Sequence, residues 1–277
     1  MIINGKEVAA NFKEQLKNKV AEFKSNNLVP KLAIIQLVND EPSMLYFRGR
    51  KRIADELGIE IERFAFDENS SQQTIVDLIS KLNKDDKIWG IMIDRPVPKC
   101  FDEDLLCNLI DAKKDVDGCS SLSAGLLMQG KDCLVPSTAQ AVIDLLKFYN
   151  FELVGANVTI VGRSKTVGKP AALLFMNENA TVTLCHSKTK DVKESCKNAD
   201  IIVAAVGKKD FITNEFVSEK SVIIDVGINV DENGKTCGDV AKSVYELVDS
   251  YSPVPGGVGP LTSVEIFMNL LKTRKWY

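Results

Sequence analysis

Val158-Thr-Ile-Val-Gly-Arg-Ser-Lys-Thr-Val-Gly-Lys-Pro170 is the stretch whose reading decides the fold. Four β-branched residues run into Gly162, a second glycine stands at Gly168, and Lys169-Pro170 opens an apolar run from Ala171 to Met176. The pattern predicts a buried strand, a tight turn with φ-permissive glycines, and a helix with Pro170 near its first position. A strand–turn–helix unit of this kind gathers backbone N–H groups at the helix N-terminus, which favours a phosphate. The spacing is Gly-x5-Gly rather than G-x-G-x-x-G, so the turn reads either as a phosphate turn or as an ordinary βα connection of a parallel sheet.

Outward from this stretch the same alternation recurs. Downstream, strands are predicted at 180–184, 201–206 and 222–226, with helices before the first and between the first two, and Asn233-Gly234 marks a hairpin. The glycine- and proline-rich run Pro253-Val-Pro-Gly-Gly-Val-Gly-Pro260 reads as a rigid loop after an apolar strand and before a last helix, 263–274. Upstream, helices are predicted at 7–23, 44–57 (stopped by Gly58), 71–82, 101–110 and 138–149, with strands at 32–38, 59–66 and 88–93. Asn39 to Ser43 reads as a turn, and 111–119 as polar and irregular.

Strands alternating with helices imply parallel sheets. The chain is expected to form two α/β domains with a cleft between them, the C-terminal one a Rossmann-like doubly wound parallel sheet. The boundaries are placed at 1–137 and 138–262, with the helix 263–277 packing back on the first domain.

The formal charge of -3 shows no basic excess, which argues against a nucleic-acid partner. No apolar run approaches the roughly 18 residues that span a bilayer, and the N-terminus lacks a signal-peptide core, so a cytoplasmic location is expected. The seven cysteines are scattered with no C-x2-C pair, and His186 is the single histidine. Reduced thiols and no metal site are therefore expected.

Asp225-Val-Gly-Ile-Asn229 and the 253–260 loop are expected at the carboxyl edge of the second sheet, where open α/β sheets bind ligands. In a doubly wound nucleotide domain the loop His186-Ser-Lys-Thr189 reaches the adenosine ribose. Arg163, Ser187 and Lys188 put cations and hydroxyls there and no carboxylate, which suits a 2′-phosphate and hence NADP. His186 reads as a base or as a structural loop residue. Lys114-Asp-Val-Asp-Gly118 reads as a solvated turn or as the place where one carboxylate holds a polar heterocycle.

Together these segments resemble the methylenetetrahydrofolate dehydrogenase/methenyltetrahydrofolate cyclohydrolase family. The resemblance is carried by Lys114–Gly118, Val161–Pro170, Asn179–Thr183 with Cys185–Thr189, Asp225–Asn229 and Pro253–Thr262, and extends to Ile3-Asn-Gly5, Ser43-x-x-Tyr46 and Gly58. It implies NADP-dependent oxidation of 5,10-methylenetetrahydrofolate, hydrolysis of the methenyl product to 10-formyltetrahydrofolate, and homodimers through the nucleotide domain. By matched position, Gly162, Arg163, Ser164, Ser187, Ile228 and Thr262 look like cofactor contacts. Pro255, Gly256 and Gly257 look like substrate contacts, as do Tyr46 against the pterin and Asp117 at its amino-pyrimidine edge.

The family pattern Tyr-x-x-x-Lys is here Tyr46-Phe-Arg-Gly-Arg50, and its Gln-Leu-Pro-Leu-Pro is Asp94-Arg-Pro-Val-Pro98. Pro-Cys-Thr-Pro is Pro136-Ser-Thr-Ala139. Arginine, unlike lysine, cannot give up its proton in a protein. The expectation is therefore a dehydrogenase whose cyclohydrolase activity is weak or lost, with Arg50 and Asp94 forming a bidentate pair. A protein that binds NADP and folate but has lost the chemistry is the alternative from a different class. A third reading, an NAD-linked dehydrogenase of another small substrate, is opposed by Arg163 and Ser187.

Overall fold

A computed structural model describes residues 1–276 of the chain. They form two compact units, one of Asn11–Val135 with Ile266–Tyr277 and one of Met1–Ala10 with Pro136–Glu265. Each has its own parallel sheet.

The first unit is built on β1 (Lys31–Gln36), β2 (Glu60–Ala65) and β3 (Gly90–Asp94), in the order β2-β1-β3. β1 is central and almost wholly buried, which is why it reads as an unbroken apolar run, whereas β2 at the edge alternates. In this register Gln36 pairs with Asp94 at the carboxyl ends of β1 and β3. The helices are α1 (Gly5–Ser25, whose first residues belong to the other unit), α2 (Glu41–Leu57), α3 (Gln72–Lys84), α4 (Glu103–Leu109) and α5 (Ser121–Met128). α2 starts three residues before its predicted start at 44. Asp40 caps it by accepting the Ser43 N–H at 2.8 Å, and Pro42 sits in the first turn, where no N–H is missed. Gly58, at φ +75°, ends it.

The second unit contains α6 (Ser137–Phe148), β4 (Asn157–Val161), α7 (Gly168–Asn177), β5 (Thr181–Cys185), α8 (Val192–Lys197), β6 (Ile201–Ala204) and β7 (Val222–Asp225). A short antiparallel hairpin follows, β8 (Asn229–Val230) and β9 (Thr236–Cys237), with Gly234 at φ +74° in its turn. Then come α9 (Lys242–Tyr245), β10 (Ser250–Ser252) and α10 (Val258–Lys272). The sheet order β10-β7-β6-β4-β5 is the doubly wound arrangement, and its direction of winding reverses between β4 and β6.

Three features differ from the sequence reading. The strand before the glycine-rich loop is not apolar: β10 carries buried Ser250 and Ser252, and Ser252 Oγ accepts the Asp225 N–H at 3.0 Å. Val258, Gly259 and Pro260 are the first turn of α10 rather than loop, since proline is accommodated there. Residues 1–10 group with the second unit and not the first. The Ile3 N–H donates to Tyr251 O at 2.8 Å and the Gly5 N–H to Gly256 O at 2.9 Å. A Cβ on Gly5 would lie 1.7 Å from Gly257 O, so glycine is required for this close approach.

From Ile266 onward α10 belongs to the three-stranded unit, where Asn269 Nδ2 donates to Val116 O at 2.9 Å and to Val135 O at 2.8 Å. Tyr277, the end of the predicted last helix, lies outside the described residues.

Candidate active site

In the five-stranded unit the loops after β4, β5 and β6 surround a hollow of about 660 Å³. Its lining includes Gly162, Arg163, Ser164, Ser187 and Lys208, over a wall formed by Val161, Val206 and Phe211. The hollow lies at the carboxyl ends of the strands that flank the winding reversal, the place where this sheet class binds nucleotides. No lining residue is acidic, so its electrostatics favour an anion.

Gly162 is at φ +125°, and a Cβ there would lie 2.0 Å from Ala205 O, so the turn can close against the β6 loop only with glycine. Gly168 is equally constrained, with its Cβ position 1.9 Å from Gly162 O. The amides that open α7 are already engaged. Ser164 Oγ accepts the Val167 and Gly168 N–H groups at 3.1 and 3.4 Å, and the Lys169 N–H donates to Ser164 O at 3.1 Å. The sequence reading left the turn open between a phosphate turn and an ordinary βα connection. Here Ser164 is the acceptor of these amides, and Arg163 and Lys208 are cationic side chains lining the hollow.

The loop after β5 is pinned. Thr189 Oγ1 accepts the His186 N–H at 2.9 Å, and His186 Nδ1 accepts the Lys188 N–H at 3.1 Å. His186 thus braces a turn through Nδ1, and Ser187 is left exposed at the hollow.

Two buried carboxylates organise the rest of this edge. Asp239 accepts the N–H groups of Val206, Gly207 and Lys208, and also Asn229 Nδ2 at 2.9 Å. Asp225 accepts those of Gly227, Asp239 and Val240, and burial outweighs these donors to push its carboxyl up to about 6. Ile228, held in this network's loop, is 65% exposed, an open apolar face beside the sheet edge. Neither Ile228 nor Thr262 is among the residues lining the hollow, and the Thr262 hydroxyl donates within α10 to Val258 O at 3.3 Å. Pro255 is exposed, while Gly257 is buried against Ser252 and Pro253, its N–H donating to Pro253 O at 2.7 Å.

In the three-stranded unit a charged cluster sits at the carboxyl ends of β1 and β3. Arg50 Nη2, from α2, donates to Asp94 Oδ1 at 3.1 Å, with the two side chains 14% and 7% exposed. The pair expected to be bidentate makes one contact: Arg50 Nη1 and Asp94 Oδ2 are buried without a hydrogen-bond partner. Gln36 Nε2, beside Asp94 in the sheet register, is buried and unpartnered too, while Gln36 Oε1 accepts from Arg63 Nε at 2.6 Å. Tyr46, one helical turn before Arg50, is 64% exposed.

Arg95, the residue after β3, bonds two carboxylates. Its Nε donates to Glu103 Oε1 at 3.0 Å and its Nη1 to Asp117 Oδ2. Burial pushes the Asp117 carboxyl up, and the Arg95 guanidinium opposes the rise. The other members of Lys114–Gly118 are structural. Lys114 Nζ is buried on the carbonyls of Leu82 and Asp85 at the end of α3, and burial lowers its pKa. Asp115 accepts the Cys119 and Ser120 N–H groups and the Ser123 hydroxyl.

Gln36 and Arg95 belong to this cluster, and the sequence reading did not single them out. The available signal was positional: each stands at or just past the carboxyl end of an otherwise apolar strand.

Family models cover nearly the whole chain. Residues 3–117 match the catalytic domain of tetrahydrofolate dehydrogenase/cyclohydrolase, and residues 136–277 match its NAD(P)-binding domain. The bifunctional protein FolD of Clostridium perfringens is 45% identical over 272 residues, spanning 98% of both chains. The crystal structure of the bifunctional methylenetetrahydrofolate dehydrogenase/cyclohydrolase of Campylobacter jejuni superposes with a TM-score of 0.97 at 36% identity, over 99% of this chain and 98% of that one. The Trypanosoma brucei enzyme, solved in complex with NADP cofactor and an inhibitor, gives a TM-score of 0.92 at 29% identity over 100% and 97% of the two chains. Among the described residues no helix is long and apolar enough to cross a membrane.

Proposed function

We propose that this chain, which belongs to the tetrahydrofolate dehydrogenase/cyclohydrolase family, oxidises 5,10-methylenetetrahydrofolate with NADP and hydrolyses the methenyl product weakly or not at all. The cofactor is NADP. The donor set of the hollow fits it, with Arg163 and Ser187 for the 2′-phosphate, Lys208 as a further cation and no carboxylate to repel it. When bound, NADP supplies a hydride acceptor.

The residues of the three-stranded unit have two tasks in that oxidation, to bind the pterin and to orient its one-carbon bridge. Tyr46 offers an exposed ring for stacking, and Asp117 offers a carboxylate for the N–H edge. Removing a hydride from the bridge leaves the methenyl cation and requires no proton transfer by the protein, so orientation suffices.

Hydrolysis asks for more. Water adds to the methenyl carbon and gives up both its protons as its oxygen becomes the formyl carbonyl. The bond from that carbon to N5 breaks, N5 takes up one of the two protons and the other is released. A group that can exchange a proton is needed beside the carbon. Arg50 occupies the place where the family pattern has lysine, and its guanidinium cannot act as a base at any working pH. The observation that carries this reading is the buried Arg50–Asp94 contact, which holds the guanidinium on an anion.

Both activities, measured on one preparation, test it: NADPH formation from methylenetetrahydrofolate, and loss of methenyltetrahydrofolate in a separate cuvette. The reading expects a clear dehydrogenase rate with hydrolysis far below it, and recovery of hydrolysis in Arg50→Lys/Asp94→Gln. Comparable turnover of the two substrates by the unmodified protein refutes the loss. The same reading implies pairing of two copies through the nucleotide-binding unit, which sedimentation velocity would detect.

A further inference from the structure

Arg95 stands where the family pattern has leucine, and it is the hub of the charged cluster. Its guanidinium leaves the end of β3 and bridges Glu103, the first residue of α4, to Asp117 in the loop beyond α4. Two anchors from different elements fix one arginine, and a planar fork held at two points has little freedom left. The contact uses Asp117 Oδ2 only. Oδ1 has no hydrogen bond to any described residue and is not among the sealed, unpartnered atoms, so it is open to a ligand.

We propose that Arg95, braced by Glu103, is a positioning residue that aligns the Asp117 carboxylate and leaves its Oδ1 to accept an N–H of the folate ring. The proposal rests on the folate reading above. Its consequence for binding is electrostatic. Asp117 faces Arg95 from the β3 end, Asp115 from its own loop, Arg50 from α2, and the Cys119 thiol beyond the same loop. Burial favours the neutral acid, Asp115 adds to that, and Arg95 is the nearest group opposing both. A protonated Asp117 loses half its acceptor capacity and its charge-assisted bond to the substrate. Arg95 thereby sets the pH down to which the folate site holds its ligand.

The test is the KM for methylenetetrahydrofolate across about pH 5.5 to 8.5 in wild type, Arg95→Leu, Arg95→Lys and Glu103→Gln, with kcat recorded at each point. In Arg95→Leu the rise of KM on acidification should move to higher pH by about one unit or more, the scale of shift that one adjacent opposite charge produces. Glu103→Gln should move it part of the way and Arg95→Lys should return it close to wild type. Variants with leucine and lysine at 95 differ in charge, so a purely steric role would not separate them in this order. A ¹³C carboxyl titration of Asp117 in the folate-free protein reads the same displacement without substrate.

Superimposable KM profiles of wild type and Arg95→Leu, or tighter substrate binding in Arg95→Leu at every pH, overturn the proposal while leaving the dehydrogenase reading intact. A wild-type protein that binds NADP and shows no response to any reduced folate overturns both.

Discussion

Removing one member of the Arg50–Asp94 pair should cost far more stability than removing both. The hydrogen bond is 3.1 Å, both side chains are largely buried, and each has one further polar atom without a partner. The pair is therefore incompletely satisfied already. Arg50→Met leaves the Asp94 carboxylate at the end of β3 with no cation, and Asp94→Leu leaves a guanidinium between α2 and the sheet. Breaking a buried pair costs about 3–5 kcal/mol, and with a single contact the lower end applies, so about 3 kcal/mol is expected for each variant. The double variant replaces both charges by apolar groups, for which the cost should fall to about 1 kcal/mol or less. Trp89, buried immediately before β3, reports unfolding of this unit by fluorescence. With a urea dependence of about 1–3 kcal/mol per molar, each single variant should lower the midpoint by roughly 1–3 M, and the double variant should recover most of that. A double variant whose loss equals the sum of the singles means no coupling, and the pairing argument is then wrong.

Three other outcomes follow from the five-stranded unit. Gly162→Ala places a methyl 2.0 Å from Ala205 O at a φ of +125°, so NADP affinity measured by calorimetry should fall at least about tenfold, or about 1.4 kcal/mol; an unchanged Kd would count against the hollow. Asp239→Ala deprives the Val206, Gly207 and Lys208 N–H groups of their acceptor, and should cost about 2–3 kcal/mol of stability and weaken NADP, whereas Asn229→Ala, which removes only one donor to it, should do much less. Asp225 has a folded pKa of about 6, raised by burial from an ordinary value of 3.8. Below the ordinary value both states are protonated and its contribution is fully present. As pH rises through 6 the folded state must ionise a buried group, and up to about 3 kcal/mol is lost. Wild type should therefore lose stability relative to Asp225→Asn between about pH 4 and 6.5, and parallel stability curves would refute this assignment.

Strands β1, β3, β4, β6 and β7 were legible because buried parallel strands are apolar on both faces, and that signal is local. The strand expected before the 253–260 loop is β10, but it is not apolar. It carries two serines, and one of them satisfies the Asp225 N–H, so hydrogen bonding rather than burial keeps it in the sheet. The placement of residues 1–10 was illegible because it depends on Tyr251 and Gly256, nearly the whole chain away in sequence. Gly162 and Gly168 could be read from composition, since φ > 0 at the first and close backbone approach at both leave glycine as the only choice. What composition could not reveal was that Ser164 already satisfies the amides of the turn. Asp117 could be singled out from the resemblance as a candidate, but its partner could not. Arg95 reaches it from another element, and no spacing rule connects residues 95, 103 and 117.

The departures of the three-stranded unit from the family pattern fall in one charged cluster. The pattern places lysine, glutamine, leucine and aspartate where this chain has Arg50, Asp94, Arg95 and Asp117. At these four positions the first set holds one cation and one anion and the second holds two of each, and Glu103, the other partner of Arg95, adds a further anion to the cluster here. Arg50 is held on Asp94 and Arg95 on Asp117, and neither guanidinium can release a proton. On the function proposed above, such a site would keep what hydride transfer requires, a bound and oriented ring, and would lack the proton-exchanging cation that hydrolysis requires.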